Sequence, residues 1–204
     1  LCIMPKQEAD DVIGTLARLY VQSGAMVIIC TGDKDFAQLV CEDIILLDTM
    51  RDQLLDEKGV YHKFGVHPHQ IVDYLALIGD TSDNIPGVMK VGPKTAVKWL
   101  ATYGDLASII DHAAELKGKV GEYFQAAIPD LPLYQRLVTI CQTLDLPFDW
   151  QQLIRQTQDT GVLSASYKEL GFRTWLKELD MPDLKKPSEF VWIDNLAVLK
   201  DRCQ

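Results

Sequence analysis

Two short apolar runs, "AMVIIC" at 25–30 and "DIILLD" at 43–48, constrain the fold more than any other feature. Both lack the strict alternation of a strand with one wet face and the length of an ordinary helix, which is the pattern of strands in a parallel sheet covered on both sides. The intervening "TGDKDFAQLVCE" has room for a turn and a short helix, as a parallel connection needs. Upstream, "EADDVIGTLARLYVQ" at 8–22 puts Val12, Ile13, Leu16, Leu19 and Tyr20 at helical spacing. Its acids fall in the first turn, where the helix dipole favours them. An α/β core built on a parallel sheet is therefore expected over about residues 1–65.

From Pro68 onward the pattern turns helical, in "PHQIVDYLALIG", "PKTAVKWLATY", "LASIIDHAAEL", "YFQAAI" and "LYQRLVTICQTL", with Gly and Pro between them. A helical part is expected over 66–180. The polar, Pro-containing stretch 181–188 reads as a linker, and "EFVWIDNLAVLKDRCQ" at 189–204 as the opening strand and helix of a further domain. The chain begins with Leu and reaches a motif almost at once, so an upstream segment is expected.

The formal net charge of -9 and pI of about 4.8 give no global attraction to DNA or to an anionic membrane, so polyanion binding must come from a local patch. The longest apolar run near the start is far below the ~18 residues of a membrane helix. Cys2, Cys30, Cys41, Cys141 and Cys203 include no CxxC pair, and several sit in apolar surroundings, the pattern of buried free thiols in a reducing, cytoplasmic compartment.

The chemistry lies in three acid clusters: Glu8, Asp10 and Asp11 at a helix start; Asp33 and Asp35 in "TGDKDF"; Asp80 and Asp83 in "GDTSDN". Taken singly, each has a structural role open to it, as dipole partner, helix cap or turn residue. The middle cluster, however, directly follows a strand, and open α/β sheets bind ligands beyond the carboxyl ends of their strands. Seven carboxylates gathered there would repel one another unless cations compensate, and an all-oxygen donor set suits Mg²⁺ or Mn²⁺. Two such ions ~4 Å apart can serve both sides of an in-line displacement at phosphorus, so phosphodiester hydrolysis is the natural reaction class.

Between Asn84 and Gly104 the sequence has Lys90, Lys94 and Lys98 and no acid. "GVMKVGPKTA" offers Gly87 and Gly92 for close approach and exposed amides near Lys94 and Thr95 at a helix start, where phosphate is favoured. The glycines have Walker spacing, but Pro93 separates Gly92 from Lys94 and the preceding segment is helical, so a nucleotide-binding P-loop is excluded. A helix-turn-helix with a solvated lysine face is the plain alternative.

"EADDVIGTLA", "TGDKDFAQLV", "KFGVHPHQIVDYLALIGDTSDNIPGVMKVGPKTA" and "LYQRLVTI" together resemble the 5'-3' exonuclease domain of bacterial DNA polymerase I, a relative of the flap endonucleases. The resemblance covers about residues 6–180. It implies a PIN-like 5' nuclease core followed by a helix-hairpin-helix-type (H3TH) element, and a bacterial, nucleoid-associated location. It also implies that Asp33, Asp35 and Asp83 hold one ion and act in catalysis. Glu8 and Asp10 would help hold a second, with Asp11 and Asp80 as near ligands or partners through water. Gly87, Lys90, Gly92, Lys94, Thr95 and Lys98 fall to duplex DNA, with K⁺ in the hairpin loop, and the remainder of a polymerase chain would follow. The family carries further acids and a basic helical arch ahead of the position of Glu8, so cleavage by this chain alone is expected to be silent. A structure-specific duplex-binding module without catalysis is the alternative. A phosphatase of the DxDx(T/V) type is disfavoured, because "DKDF" lacks the hydroxyl or β-branched residue after its second acid.

His67 and His69 read as cap and surface residues, with no partner at ligand spacing. Trp99, Trp150, Trp175 and Trp192 read as core or interface residues. Lys34, between two acids, either offsets their charge or meets a phosphate.

Overall fold

The computed structural model describes residue 4 and residues 6–180, with the side chain of 180 excepted. The readings of 181–188 and 189–204, and of Cys2, Cys203 and Trp192, lie outside the described residues. The chain forms two compact units, Leu1–Trp150 and Gln151–Gln204.

In the first unit, helix α1 (Ala9–Gln22) leads into β1 (Val27–Cys30), which pairs parallel with β2 (Ile44–Asp48) in the register Val27 to Ile44 through Cys30 to Leu47. The crossover is a 3-10 turn, Asp35–Leu39, that buries Phe36, Ala37 and Leu39. A third strand, β3 (Gln53–Leu55), returns antiparallel along β2, so the sheet is mixed, in the order β1-β2-β3. Asp48 makes that return possible: its buried carboxylate accepts the Met50 and Arg51 amides at 3.1 and 3.2 Å and the Arg51 guanidinium at 3.2 Å.

Burial corrects two expectations. Strand β2 is buried along most of its length, but in β1 only Ile29 is, and Ile28 is 46% exposed. One face of β1 packs inward and nothing among the described residues covers the other. For the same reason Cys30 is exposed rather than buried, while Cys41 and Cys141 are half-buried; all three are free thiols.

The helical part opens with α2 (Glu57–Phe64), capped by Asp56 accepting the Gly59 amide at 2.8 Å and ended by Gly65 in the left-handed conformation. Helix α3 (Ile71–Ile78) buries Ile71, Tyr74, Leu75, Ala76 and Leu77. A 3-10 turn at Pro68–Gln70 precedes it, with His67 and His69 exposed as expected. After a hairpin come α4 (Pro93–Tyr103), α5 (Leu106–Asp111), α6 (Gly118–Ala127) and α7 (Leu131–Val138). The run 106–116 divides into α5 and a 3-10 turn at Ala113–Glu115. Helix α7 stops short of its apolar pattern because Thr139 is extended and the Ile140 and Cys141 amides bond to Gln38 and Asp11 instead of to the helix. Asp73 joins the bundle, accepting the Leu106 amide at 2.9 Å and the Gln135 amide group at 2.6 Å. Trp99 packs edge-on against fully buried Phe124, and Trp150 against Tyr20.

The second unit holds α8 (Thr160–Glu169), capped by Asp159, and α9 (Arg173–Asp180). Tyr167, Phe172 and Trp175 cluster there, and Trp175 is 51% exposed rather than a core residue. No helix of the described residues is long and apolar enough to cross a membrane.

Candidate active site

Three segments bring the acids together. Glu8 is the N-cap residue of α1, and Asp10 and Asp11 occupy its first turn. Asp11 accepts the Cys141 amide at 2.7 Å, and Thr15 bonds the Cys141 carbonyl and the Leu144 amide, so α1 is fastened to the chain after α7. Gly14 permits the contact: a Cβ there would lie 2.6 Å from Ile140.

Asp33 and Asp35 leave the carboxyl end of β1. The Asp33 amide donates to Thr31 at 3.0 Å and its carboxylate accepts the Asp35 amide at 3.0 Å, a local bond that leads into the 3-10 turn, whose N-cap is Lys34 rather than Asp33. The Asp35 Oδ1 atom is buried and has no hydrogen-bond partner.

Asp80 and Asp83 follow α3 in a loop closed by paired backbone bonds between Asp80 and Ile85, at 2.8 and 2.7 Å. Asp80 is 5% exposed; its Oδ1 accepts the Ser82 amide at 2.8 Å and its Oδ2 meets the Lys34 ammonium at 2.7 Å.

Glu8, Asp10, Asp11, Asp33, Asp35 and Asp83 line one cleft of about 240 Å³, with Ile85, Leu137, Val138, Thr139 and Ile140 as its other wall. Asp80 does not line it. One carboxylate oxygen from each of Asp35, Asp80 and Asp83 lies within 4.8 Å of the other two. The wall at 137–140 was not evident as part of a site, and neither was its fastener. Gln38 donates to the carbonyls of Asp35 and Val138, both at 2.9 Å, and accepts the Ile140 amide at 3.0 Å. Its one sequence signal is its place three residues after Asp35 in "DKDFAQ".

The crowding shows in the electrostatics. Burial, then the charges of Asp33, Asp80 and Asp83, push the Asp35 carboxyl up to about 7, against the pull of Lys34. Burial and the charges of Asp33, Glu8, Asp11 and Asp83 likewise raise Asp10. Burial works on Asp80 too, but hydrogen bonds from Lys34 and Ser82 outweigh it and hold that carboxyl below the usual range. A partnerless buried oxygen within a set of hard oxygen donors is the arrangement a divalent cation satisfies.

The lysines form a separate feature. Lys94, Thr95 and Lys98 line a cleft of about 580 Å³ with Trp99, Thr102, Tyr103, Glu115, Leu116, Lys117 and Val120, while Gly87, Lys90 and Gly92 do not line it. Lys90 is exposed at φ 64°, and Gly92 is the N-cap of α4 with open space where a Cβ would stand. Gly87 differs: at φ 63°, a Cβ would meet the Gly79 nitrogen at 2.3 Å, so its bareness serves packing within the loop.

The profile of the 5'-3' exonuclease N-terminal resolvase-like domain matches residues 1–65, and that of the 5'-3' exonuclease C-terminal SAM fold matches 66–161. The chain belongs to the 5'-3' exonuclease family. A 5'-3' exonuclease of Aquifex aeolicus is 38% identical over 177 residues, 87% of this chain and 60% of its own length. DNA polymerase I of Pseudomonas aeruginosa is 42% identical over 180 residues, 84% of this chain and 20% of the polymerase. The chain thus spans 60% of the first of these relatives and 20% of the second. In fold it is similar to a T5 5'-exonuclease with bound divalent metal ions (zinc), at TM-score 0.61 and 24% identity over 66% of this chain and 50% of that one. A bacteriophage T5 flap endonuclease in a pseudo-enzyme-product complex with DNA and metal ions matches at TM-score 0.57 and 20% identity, over 84% and 58% of the two chains.

Proposed function

We propose that this chain is the 5' nuclease portion of a DNA polymerase I type protein, hydrolysing phosphodiester bonds at 5' ends or flaps of duplex DNA with two divalent ions, Mg²⁺ or Mn²⁺. The observation that carries the reading is the convergence of six acids from three segments on one cleft that also holds the partnerless carboxylate of Asp35. Asp33, Asp35 and Asp83 would hold one ion, and Glu8 and Asp10 the other, with Asp11 and Asp80 alongside. Ions bound there supply Lewis-acid stabilisation of the scissile phosphate and a water acidic enough to attack it at neutral pH.

The rest falls to the chain. Ile85, Leu137, Val138 and Ile140 give the cleft an apolar side that limits water around the reacting group. A chain of net charge -9 repels a polyanion, so the grip on the duplex rests on Lys90, Lys94 and Lys98, with Thr95 and the bare Gly92 at the start of α4. The T5 structures with divalent ions and with DNA support both halves of this reading. The resemblance adds K⁺ in the hairpin loop, and a working place beside DNA in a bacterial cytoplasm.

The test is cleavage of a 5' flap duplex by the longest natural form of the protein, because this chain spans only 60% of the A. aeolicus relative. Asp83→Asn keeps the side-chain shape and removes one charge, so cleavage should fall by orders of magnitude while DNA binding persists. Normal cleavage by Asp83→Asn at saturating Mg²⁺ would overturn the metal assignment, and duplex binding without cleavage by the unaltered protein would favour the binding module. Replacing K⁺ with Li⁺ should weaken duplex binding if the hairpin holds a monovalent ion.

A further inference from the structure

Lys34 stands between Asp33 and Asp35, yet its ammonium turns to a third acid. It lies 2.7 Å from Asp80 Oδ2, in a pair whose side chains are 37% and 4% exposed. The other oxygen of Asp80 is engaged as well, its Oδ1 accepting the Ser82 amide at 2.8 Å. The Asp80 backbone is fixed as well, by the two bonds to Ile85. An oxygen of this same carboxylate nevertheless lies within 4.8 Å of oxygens from Asp35 and Asp83. A divalent ion held by that trio and the ammonium of Lys34 therefore contend for one carboxylate, two cations at a separation where their repulsion is substantial even with generous screening.

We propose that Lys34 is a tethered counter-ion of the candidate metal centre, holding Asp80 in the metal-free protein and giving it up when a divalent ion binds. The assignment rests on the metal-centre reading. Lys34 is a positioning residue here, acting through Asp80. Its geometry explains how a site with so many acids stays folded before an ion arrives: the most buried of them, Asp80, is already neutralised from within. It also sets the affinity of the centre, since an arriving ion must displace an ammonium that the chain keeps at hand at high effective concentration. On release, the four-carbon stem leaves the ammonium beside the acid cleft, free to meet a phosphate.

The experiment compares Lys34→Gln with Lys34→Arg in the whole chain, using Mn²⁺ alone as the probe, with calorimetry for affinity and thermal unfolding in chelator for the metal-free fold. Lys34→Gln should lower the metal-free melting temperature and at the same time tighten Mn²⁺ binding by about tenfold, the effect of removing one nearby competing charge. Lys34→Arg should resemble the unaltered protein in both. A purely structural lysine gives the opposite pairing, with Lys34→Gln both less stable and weaker for Mn²⁺, and that result or an unchanged affinity overturns the proposal. Absence of Mn²⁺ binding to the unaltered protein overturns the metal-centre reading itself, and this proposal with it. Should Lys34→Gln fail to fold, the Lys34 ammonium resonance of ¹⁵N-lysine protein decides. Hydrogen-bonded in chelator, it should exchange away on addition of Mg²⁺, and its persistence at saturating Mg²⁺ refutes the displacement.

Discussion

Asp35→Asn should stabilise the metal-free protein and remove most of what a divalent ion adds. The unfolded carboxyl ionises near pH 4, whereas in the fold it holds its proton up to about 7. Between those values the native state binds the extra proton, so stability falls as pH rises from about 4 to about 7 and is level above. Complete ionisation would cost about 4 kcal/mol by linkage, and partial exposure of the group discounts this to about 2 kcal/mol. Asparagine keeps the shape without the charge. In chelator near pH 8 the variant should therefore melt about 4–8 °C above the unaltered protein, given ~2–4 °C per kcal/mol for a unit of this size, and the gap should close toward pH 4. A native-state ligand at about a hundred times its Kd contributes about 2.7 kcal/mol, so saturating Mg²⁺ should reverse the order of the two proteins. Thermal melts across pH, with chelator and with Mg²⁺, measure all of this. A variant less stable than its parent in chelator at pH 8 would show that Asp35 is not the carboxylate that crowding destabilises, and one that gains as much from Mg²⁺ would show that Asp35 is not a metal ligand.

Lys94→Ala should reduce the slope of log K against log salt for duplex DNA by about 0.9, read by fluorescence anisotropy, and an unchanged slope in a folded variant marks a mere surface charge. Gln38→Leu strips the Val138 carbonyl and Ile140 amide of their partner, so denaturant unfolding should show a loss of about 2–4 kcal/mol, and Mg²⁺ affinity should drop as the 137–140 wall loosens. Gly87→Ala forces a methyl against the Gly79 backbone, 2.3 Å away, and should weaken metal binding by calorimetry even though Gly87 lies outside the acid cleft.

Legibility in the sequence followed the range of the interactions involved. The acid clusters could be read because each is a local motif, and the parallel pairing of β1 with β2 because hydrophobic runs announce it. Strand β3 could not: it has three residues, and its antiparallel return depends on the buried carboxylate of Asp48 organising the turn at 49–51. Helix α7 was overread because the amides that end it are taken by Gln38 and Asp11, from more than a hundred residues upstream. Apolar neighbours misled the reading of Cys30, since a strand alternates and its side chain falls on the uncovered face. No pattern in the sequence indicated that Lys34 would choose Asp80 over its own neighbours.

The loop from Gly79 to Val88 joins what the sequence presents as two features. Gly79, at φ 77°, and Gly87, at φ 63°, press backbone to backbone: a Cβ on Gly79 would meet the Ile85 carbonyl oxygen at 2.5 Å. The Asp80 to Ile85 bridge and the Val88 amide bonded to the Leu77 carbonyl at 2.8 Å close the same loop from both ends. Asp80 and Asp83 are thus carried on a clasp whose closure leaves no room for side chains, and Lys90 and the start of α4 emerge directly from it. If those lysines grip a duplex, as proposed, a few residues of tightly packed backbone would index it to the acids. Packed backbone yields little. Under the proposed function, distance along the duplex would then be set by this packing, and the sharp change from carboxylates to lysines within twenty residues is what such an arrangement would require of a sequence.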